Sequence, residues 1–399
     1  MKKTIIFDIS ISGHHLEYII HLFRFLETQK PSIYCQYYFV VNPMFIEIVK
    51  NHFDVEFMDK LNIIQIQNSE LKKIEDNTKV KTTFLQSYRA LLLLKKYADK
   101  LNVRKCVVLN LDLIFKGLTI FKLFNIEIIG IWFHPHVRIP SDRLISKLLK
   151  FAKYIFLKNV LIINNIKTIF ILNDSVATIA LNKMTKSGIF KFLPDPINIL
   201  PKGVVNADIE LSKHDKNKTV FLLFGDISER KGALLLLDLI INHLTPATLN
   251  RIQFLIVGKI NYEIRNLFYK NIDYINETKN FYPIIIDRFV EYSEIPNIFS
   301  LSDCILMPYV NFYGSSGILN YAAYFGKPVI TGEHGLVSEI VQEYDLGYIT
   351  PLNPKSLSVL ITQFRKNELK NNYSIKSKNY IDTHKPEIFA THILFSSVY

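Results

Sequence analysis

Short runs that are apolar at every position recur along this chain, each followed by a longer amphipathic stretch. A strand with one face in water alternates apolar and polar residues, so a run that is apolar throughout must be covered on both faces. Helices between such strands supply the cover, and also the crossover that parallel pairing needs. Residues 4–8, 37–42, 63–67, 105–110, 126–133 and 169–172 read as strands of this kind, with helices over 16–29, 45–51 and 84–101. The rhythm breaks at Phe192-Leu193-Pro194-Asp195-Pro196-Ile197, where two prolines hold the backbone extended, and a polar stretch follows at 211–218. It restarts with strands at 219–224, 253–257, 284–289, 303–307, 328–331 and 347–349, and a Leu-rich helix at 233–242. The class is therefore α/β, read as two doubly wound, Rossmann-like parallel-sheet domains facing each other across a cleft. Their expected bounds are 1–195 and 215–380, joined by a linker at 196–214. A C-terminal helix within 381–399 is expected to return to the first domain.

With 49% apolar residues and only 14 Gly and 15 Pro in 399 positions, disordered, collagen-like and low-complexity classes are excluded. The 48 Lys+Arg against 36 Asp+Glu leave a formal charge of +12, which suits nucleic acid, an anionic membrane or an anionic substrate. Cys35, Cys106 and Cys304 are too scattered for a metal site or a disulfide framework, so a reducing cytoplasm is expected. Asp8 interrupts the apolar start after Met1-Lys2-Lys3, which favours a buried strand over a signal peptide. The greasiest stretch, 144–172, holds Lys147, Lys150, Lys153, Lys158 and Lys167 and is too charged to span a bilayer. Arg143, Lys147, Lys150 and Lys153 fall near one helical face, against Leu144, Leu148, Phe151 and Tyr154. Two readings stay open: peripheral contact with an anionic membrane surface, or an ordinary amphipathic helix on a sheet, the commoner case.

Three segments of the second half carry chemistry. The strand at 219–224 ends in Phe224-Gly225-Asp226 and runs on to Arg230-Lys231-Gly232. Ligands of open α/β sheets bind at the carboxyl ends of strands, so Gly225 permits the turn there and Arg230 and Lys231 arrive with reach for a diphosphate. The second segment is Asp287-Arg288-Phe289-Val290. The third runs from Pro308-Tyr309 through Tyr313-Gly314-Ser315-Ser316-Gly317 into a helix that ends before Gly326-Lys327-Pro328-Val329. Ser315 and Ser316 are expected as N-cap residues, and the backbone N–H groups from Ser316 to Ile318 would form an anion site. Singly, each segment also reads as a turn or a cap with no ligand.

In this order the segments resemble the donor-binding domain of GT-B glycosyltransferases of the family 4, or glycosyl transferases group 1, type. The resemblance rests on Gly225, Lys231-Gly232, Phe289-Val290, Ser302-Asp303-Cys304, Pro308-Tyr309 and Gly326-Lys327-Pro328-Val329-Ile330, and residues 192–197 resemble the family's interdomain linker. It implies a GT-B fold and a nucleotide-sugar donor as substrate. The donor's diphosphate would meet Gly225, Arg230, Lys231, Tyr309 and the helix start at Ser315, Ser316 and Gly317, with its base at Phe289 and Val290. No metal or other cofactor is expected. Many members carry two glutamates eight positions apart; the matching positions here are Tyr313 and Tyr321, and the chain has a Gly-Ser-Ser-Gly loop instead.

In the first half, Ser12-Gly13-His14-His15 lies between the first strand and the first helix. The resemblance places a Gly-rich loop there, where Gly13 allows close approach to donor or acceptor and one of His14 or His15 contacts the donor or assists proton transfer. Phe133-His134-Pro135-His136 ends another strand of the same sheet. His15 and His134 are thus the catalytic candidates, each also readable as a helix cap or a solvated side chain. No zinc spacing, Walker-type loop or triad signature is present. The implied function is transfer of a sugar from a nucleotide-sugar to a hydroxyl of a glycan or lipid-linked acceptor. It would serve cell-surface polysaccharide or lipopolysaccharide assembly at the inner face of the membrane, with no nucleic-acid partner. The alternatives are a GT-B epimerase or hydrolase, or a non-catalytic binder that has lost the acidic pair.

Overall fold

A computed structural model describes residues 3–11, 14–49, 52–74, 83–119, 121–123, 125–135, 137–138, 144–197, 217–364 and 375–396. The chain divides into two compact units, Met1–Pro196 with Lys385–Tyr399, and Ile197–His384.

The first unit is built on seven parallel strands: β1 (Thr4–Asp8), β2 (Tyr37–Val41), β3 (Asn62–Gln65), β4 (Lys105–Val108), β5 (Glu127–Trp132), β6 (Ile166–Leu172) and β7 (Phe190–Leu193). Their order is β3-β2-β1-β4-β5-β6-β7. Every residue of β1 is buried, because Ile5 and Phe7 enter one core while Ile6 enters another on the opposite face. The wholly apolar run is the sequence form of that two-sided burial. The chain winds outward from β1 to β3, returns across β1 to β4, and winds outward the other way. This reversal puts the helix His14–Glu27 on one face and the helices Phe84–Lys100, Leu144–Ile163 and Ser175–Thr185 on the other. The C-terminal helix Pro386–Leu394 shares the core of His14–Glu27, with the Tyr18 and Phe389 rings 4.7 Å apart.

The second unit holds six parallel strands: β8 (Thr219–Phe224), β9 (Ile252–Val257), β10 (Ile284–Ile286), β11 (Cys304–Met307), β12 (Val329–Thr331) and β13 (Gly347–Ile349), ordered β10-β9-β8-β11-β12-β13. The chain reverses here between β8 and β11.

Among the elements that differ from the sequence reading, three have a plain physical reason. Residues 190–193 form the edge strand β7, where the sequence reading places the first domain's end without a strand. The prolines that follow leave the ladder at an edge, where the missing N–H costs nothing. Strand β10 stops at Ile286, because the next side chain, Asp287, accepts from the Ile260 N–H at 3.0 Å and the Tyr269 hydroxyl at 3.0 Å instead of pointing into a core. The helix Tyr262–Lys279 escaped the reading because ten of its eighteen residues are polar and exposed Tyr262, Leu267 and Tyr274 blur the buried stripe of Ile264, Phe268, Ile272 and Ile275. Among the described residues no helix is long and apolar enough to cross a membrane.

Candidate active site

Crevices for ligands open where the winding of a doubly wound sheet reverses, outside the carboxyl ends of the two strands concerned. In the second unit these strands are β8 and β11. At the end of β8, Gly225 has φ +103°, and a Cβ there would stand 3.1 Å from Ile318 Cδ1 at the start of the helix Gly317–Tyr324. The loop then folds against the end of β11. Gly232, at φ +78°, leaves no room for a Cβ, which would fall 2.3 Å from the Pro308 carbonyl oxygen, and the Val310 N–H donates to the Arg230 carbonyl at 2.9 Å.

This close approach gathers the polar groups. Lys231 Nζ donates to the Tyr309 hydroxyl at 2.9 Å and lies 4.3 Å from the centre of its ring. The same hydroxyl is 3.2 Å from Ser316 Oγ. Arg230, exposed, rests its guanidinium 5.1 Å from the centre of the Phe312 ring. A cation, a phenol and a serine hydroxyl thus run in line to a helix N-terminus, whose partial positive charge adds to that of Lys231.

The capping expectation needs correction. Ser316 is the N-cap residue, but its hydroxyl caps nothing, and Ser315 stands one position further out. The Ser316 hydroxyl is drawn to Tyr309 instead, so the backbone N–H groups at the helix start lack that side-chain acceptor. Beside the cluster, Tyr309, Phe312, Tyr313, Glu333, His334 and Leu352 line a cavity of about 250 Å³. Glu333 and His334 were not anticipated. Their signal is positional, since Gly332-Glu333-His334-Gly335 follows β12 at the same end of the sheet.

The remaining candidates of this unit fall elsewhere. Phe289 is 84% exposed and Val290 is half-buried against the core. Of the two positions where acids are common in the family, Tyr313 lines the cavity, whereas Tyr321 is buried with its ring 5.6 Å from Phe299. Neighbouring Asn320 accepts from the Tyr380 hydroxyl at 2.6 Å, so its carbonyl end serves the core.

In the first unit the winding reverses between β1 and β4, and the last residue of β1 is Asp8. This carboxylate is 1% exposed; one oxygen is 2.8 Å from His15 Nδ1, and the other accepts from the Ser10 N–H at 2.9 Å. A carboxylate only accepts, so the pair assigns the proton to Nδ1 and leaves Nε2 as the basic nitrogen of the neutral ring. The His15 ring is 5.4 Å from that of Phe133, the residue just past β5, so the ends of β1 and β5 do converge. His134 does not join them. It is exposed, with Nδ1 3.6 Å from Asp112, whose same oxygen already accepts from the Phe133 N–H at 2.9 Å. Gly13, Ser12 and His136 lie outside the described residues.

The helix that carries His15 is anchored one turn on, where the Tyr18 hydroxyl donates to Asp195 at 2.6 Å. Burial, reinforced by the Asp195 charge, pushes the Tyr18 phenol well above its ordinary value, so it stays protonated. Among the described residues, no three His, Cys, Asp or Glu side chains gather as metal ligands.

Residues 205–380 match the family model Glycosyl transferases group 1. No curated protein matches the chain in sequence. Solved structures similar over the whole chain include sucrose-phosphate synthase from Thermosynechococcus elongatus, with 14% identity, TM-score 0.68 and coverage of 100% of this chain and 99% of that one. Anabaena HepE in complex with UDP and glucose has 13% identity, TM-score 0.62 and coverage of 100% and 98%. WaaG, a glycosyltransferase involved in lipopolysaccharide biosynthesis, has 13% identity, TM-score 0.60 and coverage of 98% and 99%. At such identities the likeness establishes the fold, the two-sheet GT-B architecture.

Proposed function

The second unit carries a Glycosyl transferases group 1 domain within a GT-B fold, and on that premise we propose that the protein moves a sugar from a nucleotide-sugar donor to a hydroxyl of a glycan or lipid-linked acceptor. The observation that carries this reading is the line Lys231, Tyr309, Ser316 at the start of the helix Gly317–Tyr324. Such a cluster suits a diphosphate twice over. It binds the charge in the ground state, and it favours the further charge that develops as the bond from the anomeric carbon to the diphosphate breaks. The cavity beside it, lined by Tyr313, Glu333 and His334, is assigned to the donor sugar. HepE, a structural relative, binds UDP and glucose, which supports a nucleoside diphosphate as the leaving group.

The acceptor and its base are assigned to the first unit. His15 Nε2 takes the proton of the acceptor hydroxyl while that oxygen attacks the anomeric carbon, and the diphosphate departs with the bonding electrons. Asp8 orients the ring and stabilises the imidazolium that forms. Gly13 is assigned close approach to donor or acceptor, His134 stays the second candidate for proton transfer, and Phe289 and Val290 are assigned to the nucleotide's base. WaaG, a structural relative, is involved in lipopolysaccharide biosynthesis, which supports a place in cell-surface glycan assembly, and the formal charge of +12 suits the inner face of a membrane.

One experiment tests the reading. Thermal shift against UDP-, GDP-, dTDP- and CMP-sugars identifies the donor, and release of the matching nucleotide is then followed with and without glycan and lipid-linked acceptors. Acceptor-dependent release supports transfer. Donor binding without turnover over a broad acceptor panel sinks it and favours the non-catalytic binder, and acceptor-independent release favours a hydrolase.

A further inference from the structure

The helices Leu144–Ile163 and Ser175–Thr185 follow the adjacent strands β5 and β6, and both turn residues into one core: Leu157 and Val160 from the first, Ala177 and Leu181 from the second. They therefore lie side by side on one face of the first unit's sheet. Their opposite stripes face solvent, and what stands there is unusual. The first shows Ile155, Lys158 and Ile162, the aliphatic pair 45% and 72% exposed. The second shows Val176, Ile179 and Lys183, with Val176 56% and Ile179 68% exposed. A helix packed on a sheet ordinarily turns polar residues of both signs to water.

Here the signs are not mixed. Residues 144–193 contain eight lysines and a single acid, Asp174. Asp174 is 4% exposed and held by Arg138 through two bonds of 2.5 and 2.8 Å, besides accepting from the Ala177 N–H. The fifty-residue stretch thus offers no acid to solvent among its described residues.

We propose that this double-helix face docks the first unit on an anionic lipid bilayer, with the four β-branched side chains entering the boundary between headgroups and acyl chains and the lysines meeting lipid phosphates. Bare aliphatics beside lysines match that layered medium, apolar below and anionic above. A nucleic acid would call for exposed rings to stack on its bases, and no exposed position on these two helices is aromatic among the described residues. An acidic protein surface would call for hydrogen-bonding side chains where Ile162 and Ile179 stand. The inference does not depend on the transfer reaction, because lipid binding is measured with no donor present.

The test is co-sedimentation of the full chain with vesicles of pure phosphatidylcholine and with vesicles containing roughly 30 mol% phosphatidylglycerol. The expected result is partition onto the anionic vesicles at least tenfold above the neutral ones. Ile162→Glu with Ile179→Glu should lower that partition at least tenfold. Lys158→Gln with Lys183→Gln should lower it about fivefold per lysine and flatten its salt dependence. Val55→Glu is the control, because Val55 is 74% exposed on the short helix Val55–Lys60, whose Phe57 and Met58 pack on the opposite core. All five sites are exposed, and unchanged thermal unfolding and donor binding verify that the variants fold. Equal partition onto both vesicle types, or equal loss in Val55→Glu and the Ile pair, would overturn the proposal. So would binding of single-stranded DNA or an acidic polypeptide, in place of vesicles, that the same substitutions abolish.

Discussion

Replacing Lys231 by Met is the sharpest probe of the donor site, because the structure separates what the ammonium does for the fold from what it offers a ligand. In the free protein Nζ spends one hydrogen on the Tyr309 hydroxyl and sits over its ring. A neutral hydrogen-bond partner and a partly solvated cation–π contact are each worth about 0.5–1 kcal/mol, so unfolding should shift by no more than about 2 kcal/mol. A diphosphate at the start of Gly317–Tyr324 would take the other hydrogens as charge-assisted bonds, worth about 1.5–3 kcal/mol when desolvated. Lys231 is half-buried, so the lower half of that range applies after screening, about 1.5–2 kcal/mol or roughly 10- to 30-fold in donor Kd. Tyr309→Phe keeps the ring beneath the ammonium and removes only the hydroxyl relay to Ser316. It should cost about three- to tenfold, and Lys231→Arg should restore most of the binding lost in the Met variant. Isothermal titration with the donor chosen by thermal shift gives all three values. If Lys231→Met is folded and binds donor within threefold of the parent, the diphosphate does not lie on this cluster and the site must be moved.

Two further outcomes follow from charges the folds bury. Asp8→Asn and His15→Ala should each lower kcat by about 10²- to 10⁴-fold while leaving donor Kd within threefold, as steady-state kinetics and titration will show; a change confined to KM would make the pair a binding rather than a proton-transfer device. Asp287, 9% exposed in its side chain, is pushed up by burial, yet its bonds from the Ile260 N–H and Tyr269 and the charges of Arg265 and Lys259 hold it, on balance, below the usual carboxylate range. A folded value below the unfolded one gives stability that is present above about pH 4 and is lost as the pH falls through the lower folded value. Asp287→Asn should therefore destabilise by about 1–3 kcal/mol at pH 7 in urea unfolding, with the gap closing as the pH drops below about 4. A gap of constant size from pH 7 to pH 3 would show that the carboxylate charge contributes nothing.

What could be read from the sequence divides along a physical line. Apart from the edge strand β7, the strands of both sheets were legible because burial on two faces demands uninterrupted apolar runs, and β1 and β8 satisfy it at nearly every position. A helix such as Tyr262–Lys279 was not, because its buried stripe of four residues is set among ten polar ones and exposed Tyr262, Leu267 and Tyr274. The site divides in the same way. Gly225, Arg230 and Lys231 could be named because they follow a strand end, Ser316 because it precedes a helix, and Tyr309 because it belongs to the resemblance. That Lys231 reaches Tyr309, and Tyr309 reaches Ser316, depends on how far two loops approach, which is set by the missing Cβ of Gly232 against Pro308 and has no signature beyond the glycine itself. Asp8 is the instructive case. In the sequence it only interrupts an apolar N-terminus, yet an acid that closes a fully buried strand must find donors, and the chain offers Ser10 and His15 within seven residues of it. A buried acid at a strand end, followed within a few residues by a histidine at a helix start, is thus a pattern to seek wherever a doubly wound sheet reverses direction. It predicts a pair from the cost of leaving either member alone, without any knowledge of the reaction the pair performs.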